Sequence, residues 1–485
     1  MPVTTLPIAT GFYQSKVLPL SAQVGINCYP HLTQASGLSA ESVFSTPGLS
    51  QSATSGASVS EANRGARVFN SRPYFVNGTA LYRLETDNTL TNLGSIEGSK
   101  RVSMADNGTQ LMVLVPGGKA YIFTASPDSL VEITDSDFTA NGAPQYVVFI
   151  DSYFLCVTDD KKFIISAPND GTSWDALDFG SAESSPDGVV FPVVLRNQLY
   201  ICGERTIEGF SNTTAGADFP FTRNGLFVDK GVSAPLSVIN SNNSFLFIGA
   251  GQDEGPAVWL MQGNYPEKVS TDAVDVVLGA LTDEELSVVH AWAYGADGHY
   301  FVGFSLPTTS LVYDLAAGRW HERKSRIANA DETYTIETYR VSDIVQVGGT
   351  LYAGDLRDGR VGTLSDDTYD EYDERVIRQF ATQPFQSNMQ PFTVPKIELT
   401  VESGVGNASE PDPQVRLEIS RDGGKTWSEE RARSMGKVGE YNRRAIWRRN
   451  GRSARFDVYR FTTAAPVKFS GLQLTAQIES MADAA

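Results

Sequence analysis

The chain has 485 residues, 41% hydrophobic, 10% aromatic and 20% charged. That balance supplies a sizeable buried core and excludes a globally disordered chain, while the length predicts two or three domains or one long β-repeat. The net charge of −18 describes a body that repels nucleic acid in general.

The N-terminus (MPVTTLPIATGFYQSK) lacks the basic and then apolar regions of a secretory signal. No stretch of the chain approaches the roughly 18 consecutive apolar residues that a membrane helix requires. Residues 1–65 are rich in Ser, Thr, Gly and Pro, most of all from Ser50 to Ser60. They read as an extended N-terminal arm that packs on another part of the assembly.

From about residue 66 short apolar strands alternate with glycine turns. Tyr74-Phe75-Val76, Asn77-Gly78 and Leu81-Tyr82-Arg83-Leu84 form a hairpin signature. Related units begin at residues 72, 111, 146, 193, 244, 292 and 343. Their separations bracket the roughly 40–50-residue period of a propeller blade. Residues 66–365 are therefore expected to be a degenerate β-propeller of about seven hairpin units, with a sandwich array or stacked barrels as alternatives. The fold class is all-β. The capping-box string Thr282-Asp283-Glu284-Glu285 signals one short helix there, with a strand as the alternative.

Residues 366–374 (DDTYDEYDE) are densely acidic and read as a solvated linker rather than a metal site. Beyond them, within 366–485, lies a smaller β domain. Val415, Leu417 and Ile419 alternate there with Arg416 and Glu418, the period of a half-buried strand. Cys28, Cys156 and Cys202 have no CxxC spacing and read as buried free thiols, which fits synthesis in a reducing cytoplasm.

Ser420, Asp422, Gly424 and Trp427 fit the Asp-box pattern S-x-D-x-G-x-x-W. The motif occurs in glycan-processing propellers, but its parts fasten a hairpin: the carboxylate accepts from turn amides and glycine takes a positive φ. Asp170-Gly171-Thr172-Ser173-Trp174 is a looser relative. A glycosidase needs two carboxylates placed across the scissile bond, and no such pair stands out. His31, His290, His299 and His321 show no HxH or HExxH spacing. No catalytic residue, metal ligand or cofactor-binding residue is therefore assigned, and no cofactor is expected.

Charge is unevenly spread. Residues 431–460 hold ten Lys and Arg against Glu440 and Asp457, a local +8, so the rest of the chain sums to −26. Arg443, Arg444, Trp447, Arg448 and Arg449 interleave guanidinium pairs with an aromatic. They read first as an interface for a protein partner. A solvated or intradomain role and phosphate contact remain as alternatives.

Several ordered strings resemble one family. Gly11-Phe12-Tyr13, Tyr29-Pro30 and Thr46-Pro47-Gly48 resemble its opening, and Asn63-Arg64-Gly65-Ala66 its first hairpin. The stretch from Val312 to Ser325 (VYDLAAGRWHERKS) resembles its central signature. SRDGGKTW, Gly436 to Tyr441 and RRAIWRRNGRSARF resemble its C-terminal block. The family is the packaged-DNA-stabilisation or tail-nozzle family of short-tailed bacteriophages. The resemblance implies a non-enzymatic virion tail component, a homohexameric ring that extends the head-to-tail channel, retains packaged DNA and conducts it at ejection. It further implies contact with a head-to-tail adaptor, a tail needle or plug, tailspikes or fibres, and double-stranded DNA in passage. The competing reading is a glycan-processing or glycan-binding Asp-box propeller, an enzyme or a receptor-binding module.

Overall fold

In the first hairpin Arg72–Asn77 and Ala80–Leu84 pair antiparallel, with Phe75 opposite Tyr82, across a turn in which Gly78 takes φ 53°. That backbone region suits glycine, so the Asn77-Gly78 signal acts as it reads. Asn63–Phe69 and Leu90–Ser95 complete a four-stranded antiparallel sheet. The computed structural model describes residues 3–8, 11–35, 37–182, 187–213, 219–241, 243–329, 331 and 333–480.

The same unit recurs. Six sheets follow in unbroken chain order, over residues 63–95, 103–132, 144–181, 189–228, 231–268 and 290–338. A seventh is composite. Val341–Val347, Thr350–Asp355 and Arg360–Ser365 supply three strands, and Gly48–Thr54 supplies the fourth, running from Gly48 opposite Ser365 to Thr54 opposite Arg360. One of the hairpin units read from the sequence lies in each sheet. The sheets form a propeller-like ring whose core sits between them, with Leu111, Phe154, Leu199, Phe247 and Val302 wholly buried. Each such side chain contributes on the order of 1.5–3 kcal/mol. The innermost strands enclose a central cavity of about 330 Å³, lined from every sheet by residues such as Arg67, Ser103, Val147, Val193, Asn240, His290 and Asp343.

Helix is scarce. Asp283–Val288 begins with the expected capping box, Thr282 Oγ1 accepting from Glu285 N at 3.2 Å while Thr282 N donates to Glu285 Oε2 at 2.9 Å. A second short helix, Asp272–Leu278, precedes it. Among the described residues, no helix is long and apolar enough to cross a membrane.

The C-terminal body is a β-sandwich. One sheet runs Ala445–Arg448, Phe392–Val401, Ser470–Ser480, Glu41–Ser45 and Cys28–Leu32, with Val3–Leu6 also on Ser470–Ser480. The other includes Gly25–Ile26, Arg378–Ala381, Phe456–Thr463, Gln414–Ser420 and Arg431–Ser434. Leu6, Val43, Ile397, Leu417, Trp447 and Phe461 fill the space between. The N-terminal residues thus supply strands to both bodies: their low apolar content conceals strands whose partners lie hundreds of residues away. Cys28, Cys156 and Cys202 are buried free thiols.

The acidic run 366–374 is solvated only in part: Asp366, Asp367 and Asp373 are exposed, but the run also carries a buried carboxylate. Glu371 is 2% exposed, accepts from Ser325 Oγ at 2.6 Å, and lies in the field of Arg323, Arg340 and Arg378. Tyr372 stacks under Arg340 and Arg360, whose guanidinium carbons lie 4.6 and 4.4 Å from its ring. The run reads as solvated because the cations that draw it inward come from other sheets.

Leu49 sits on the closing strand, fully buried among Trp292, Val312, Tyr339 and Leu364. Leu49→Ala is expected to cost about 2–5 kcal/mol in urea unfolding. Leu38→Ala, at a 64% exposed position, is expected to change stability by less than about 0.5 kcal/mol.

Candidate docking surface on the sandwich edge

The Asp-box forms the turn after Gln414–Ser420. Asp422 Oδ1 accepts from Ser420 Oγ at 2.7 Å and from the amides of Lys425 and Thr426 at 2.9 Å, and Oδ2 accepts from Thr426 Oγ1 at 2.6 Å. Ser420 Oγ in turn accepts from Gly424 N at 2.7 Å. The Thr426 hydroxyl, followed by the turn amides, holds the Asp422 carboxyl well below the usual range. A carboxylate so fully engaged is not a free acid or base. Gly423 and Gly424 take φ 80° and 96°. A Cβ on either would come within 2.6 Å of Pro19 or Ala22, so the turn seats directly on the N-terminal segment. Trp427 lies under Arg460, 4.0 Å from guanidinium carbon to ring centre, and Arg460 forks onto Glu418 at 2.7 and 2.8 Å. Asp170 makes a smaller version of the turn, accepting from Thr172 N at 3.0 Å while Trp174 Nε1 donates to Gly171 O at 2.9 Å.

Beside this turn the strands Arg431–Ser434 and Ala445–Arg448 edge the two sheets. Three arginines tie them together. Arg431 donates to Asn450 Oδ1 at 2.5 Å, Arg433 to Ile446 O at 2.7 Å, and Arg421 to Asn450 O at 2.7 Å. Burial, then the charges of Arg433 and Arg421, lower the Arg431 pKa, so like charges are being held together.

The sequence-derived set divides. Arg443, Arg448 and Arg449 are exposed, with no carboxylate partner among the described residues. Arg444 is exposed but forks onto Glu398 at 2.5 and 2.6 Å, which neutralises part of its charge. Trp447 does not belong to the surface. It is 0% exposed in the sandwich core, with Nε1 donating to Arg431 O at 2.6 Å. On a strand successive side chains face opposite ways, so Ala445 and Trp447 point inward while Arg444 and Arg448 stay out. Sequence reading missed Arg421, and counted Arg431 and Arg433 in the basic run 431–460 without assigning them to the interface. Arg431 and Arg433 alternate on one strand and Arg421 lies in the Asp-box turn, but the packing that brings them together is invisible in one dimension.

A second convergence was also hidden. His31 Nδ1 lies 3.0 Å from His299 Nε2, and His299 Nδ1 lies 2.6 Å from Asp314 Oδ2, joining the N-terminal segment to the sixth sheet.

Comparison with known proteins covers nearly the whole chain. Residues 4–369 match the family model described as bacteriophage P22 Gp10, beta-propeller, and residues 377–479 match that described as bacteriophage P22 Gp10, beta-sandwich. The tail hub protein gp10 of Salmonella phage P22 is 26% identical over 417 residues, covering 83% of this chain and 84% of that protein. Two solved structures are also similar. The N-terminal domain of Nup159 has a TM-score of 0.42 and 11% identity, over 71% of this chain and 99% of that one. The WD40 β-propeller domain of Doa1 has a TM-score of 0.38 and 12% identity, over 63% and 93%.

Trp447→Ala is expected to destabilise the fold by about 3–5 kcal/mol, whereas Arg448→Glu with Arg449→Glu is expected to stay within about 0.5 kcal/mol per site by the same urea titration. The depressed Asp422 pKa gives a pH signature. A carboxyl with a folded value below its unfolded one stabilises fully above about pH 4 and loses that contribution as pH falls through the folded value. The gap in urea midpoint between Asp422→Ala and the parent is therefore expected to be constant from pH 5 to 7 and to shrink on acidification below about pH 4.

Proposed function

Because the chain belongs to the bacteriophage P22 Gp10 family, we propose that it is the structural hub of a short-tailed phage tail, a nozzle rather than an enzyme. Its place is the virion tail. The observation that carries this reading is the pair of consecutive family matches, one on the propeller and one on the sandwich, with a tail hub protein as a relative along most of the chain.

In the finer reading the chain forms a sixfold ring that extends the head-to-tail channel, retains packaged DNA and conducts it at ejection. Charge supports the conduit. Outside residues 431–460 the chain sums to −26, and a wall of that sign does not hold a polyanion by counterion release. The exposed Arg443, Arg444, Arg448 and Arg449, backed by Arg431 and Arg433, form the docking face for an acidic protein of the tail, the adaptor above it being the favoured partner. The N-terminal segment belongs to the same body, since the Asp-box turn rests on Pro19 and Ala22. A needle or plug and tailspikes or fibres complete the set of partners, on the propeller side.

Phage deleted for this gene are expected to fill heads and then lose DNA, with retention restored when the chain is supplied. The quadruple reversal Arg443→Glu, Arg444→Glu, Arg448→Glu and Arg449→Glu is expected to yield folded protein that does not join the tail. Stable filled heads without the chain would sink the hub reading. Normal incorporation of the reversed protein would sink only the docking face.

A further inference from the structure

Where the propeller meets the sandwich lies a cavity of about 420 Å³. Three aromatic rings line it from the sandwich side: Tyr29 on Cys28–Leu32, Phe44 on Glu41–Ser45, and Phe469 just before Ser470–Ser480. Its carboxylates come from three places. Asp297 lies in the turn between the first two strands of the sixth sheet, Asp366 follows Arg360–Ser365 of the seventh, and Glu402 follows Phe392–Val401. Glu402 is already engaged, with Lys468 Nζ at 2.9 Å and Ser470 Oγ donating at 3.2 Å. Asp297 and Asp366 are not. Both are exposed, and neither has a hydrogen bond or an ion pair among the described residues. They lie in each other's field: burial, then the charge of Asp297, raises the Asp366 pKa above its ordinary value, against the pull of Arg323.

Tyr29 points to what the cavity takes. It is 5% exposed and packs edge-to-face on Phe44, His299 and Phe301, with ring centres 6.1, 5.1 and 5.0 Å away. Its hydroxyl nevertheless has no hydrogen-bond partner among the described residues. Burial, then Tyr294 and the charges of Asp366 and Asp297, raise its pKa, so the group stays a neutral hydroxyl in the field of the two free carboxylates. An unpaired hydroxyl this deeply placed calls for a partner.

The chain itself shows what a ring and a carboxylate hold between them. Arg460 stacks on Trp427 while forking onto Glu418. Arg340 and Arg360 stack on Tyr372 while donating to Asp355 at 2.6 Å and Asp358 at 2.7 Å. A guanidinium suits both partners because its planar fork stacks and donates at once. The cavity at the seam brings aromatic rings and two free carboxylates together, and no arginine among the described residues lines it.

We propose that this cavity is a docking socket for an arginine side chain presented by a basic partner protein. The guanidinium enters between Asp297 and Asp366 and donates to both, Tyr29 Oη accepts a further N–H, and the methylene stem lies along Phe44 and Phe469. Three carboxylates against the one ammonium of Lys468 leave the lining at a formal −2, which attracts a cation and turns away an anion. The exposed arginines of the sandwich edge select the opposite sign, so the two surfaces tell unlike neighbours apart. Walls from both bodies close on one side chain, so an occupied socket also holds the propeller to the sandwich.

Isothermal titration calorimetry of the full chain at pH 7 and low salt compares Nα-acetyl-L-argininamide with its neutral isostere, Nα-acetyl-L-citrullinamide. The arginine derivative is expected to fill one saturable site in the millimolar range, and the citrulline derivative to bind at least about tenfold more weakly. Asp297→Asn with Asp366→Asn is expected to weaken the arginine derivative at least about tenfold. Asparagine tolerates the left-handed turn that Asp297 occupies at φ 49°. Tyr29→Phe, which removes only the unpaired hydroxyl, is expected to weaken it about threefold. Asp283→Asn with Glu284→Gln removes equal charge from exposed positions on a helix outside the lining and is expected to leave the affinity unchanged. Circular dichroism checks that each variant is folded, and if the Asp297 and Asp366 pair is not, the citrulline comparison decides. Absence of saturable binding by the arginine derivative overturns the proposal. So does equal affinity for the citrulline derivative, or equal loss in the two paired variants.

Discussion

The pairing of Gly48–Thr54 with Arg360–Ser365 is the constraint on which the architecture rests. Without that strand the seventh sheet ends in an open ladder of unpaired amides and carbonyls, a surface that invites association with other chains. With it, a strand from the N-terminal segment and the last strand of the propeller become one sheet. Backbone pairing and burial play separate parts. Each ladder bond contributes a net of about 0.5–1.5 kcal/mol, whereas Leu49 alone, wholly buried, is worth about 1.5–3 kcal/mol. The hydrogen bonds set the register, and the apolar side chains supply most of the stability.

A buried polar seam then fixes how the propeller meets the sandwich. Asn27, in the left-handed region at φ 51°, donates to Lys324 O and Ile377 O at 2.8 and 2.9 Å and accepts from Lys324 N at 3.1 Å. Arg323, fully buried, donates to Pro47 O at 3.0 Å and lies 3.9 Å over the Tyr339 ring. Arg378 donates to Ala465 O and Tyr369 O at 3.2 and 2.7 Å. Groups of this kind add little net stability against well-packed apolar side chains, but removing one partner strands a buried charge. They make one relative placement of the two bodies far cheaper than its neighbours.

The sequence showed the propeller because its information is local: the alternating apolar runs and the Asn-Gly and Gly-Gly turns are contiguous, and they fall one unit to a sheet. The capping box at Thr282 was legible for the same reason, as was the Asp-box, whose partners lie within six residues. What escaped depends on distant chain. Gly48–Thr54 reads as polar filler until Arg360–Ser365 lies beside it. Glu371 reads as solvated until Arg323 and Arg378 surround it. Trp447 reads as a surface anchor because arginines flank it, yet strand alternation turns it inward and leaves the arginines out. The arginines on either side of that strand were found. Those contributed by the neighbouring strand were counted in the basic run but not placed on the face.

The closing strand also sets an order of events on the ribosome. Gly48–Thr54 emerges early, while its partner Arg360–Ser365 is synthesised more than three hundred residues later. At roughly 5–20 residues per second, the early strand waits on the order of 15–60 s before the ring can shut. During that interval each finished sheet can pack on the one before it, but the circle stays incomplete. Closure is thus a late checkpoint in biosynthesis: it reports that the whole propeller has been made, and any surface that requires the finished ring becomes available only then.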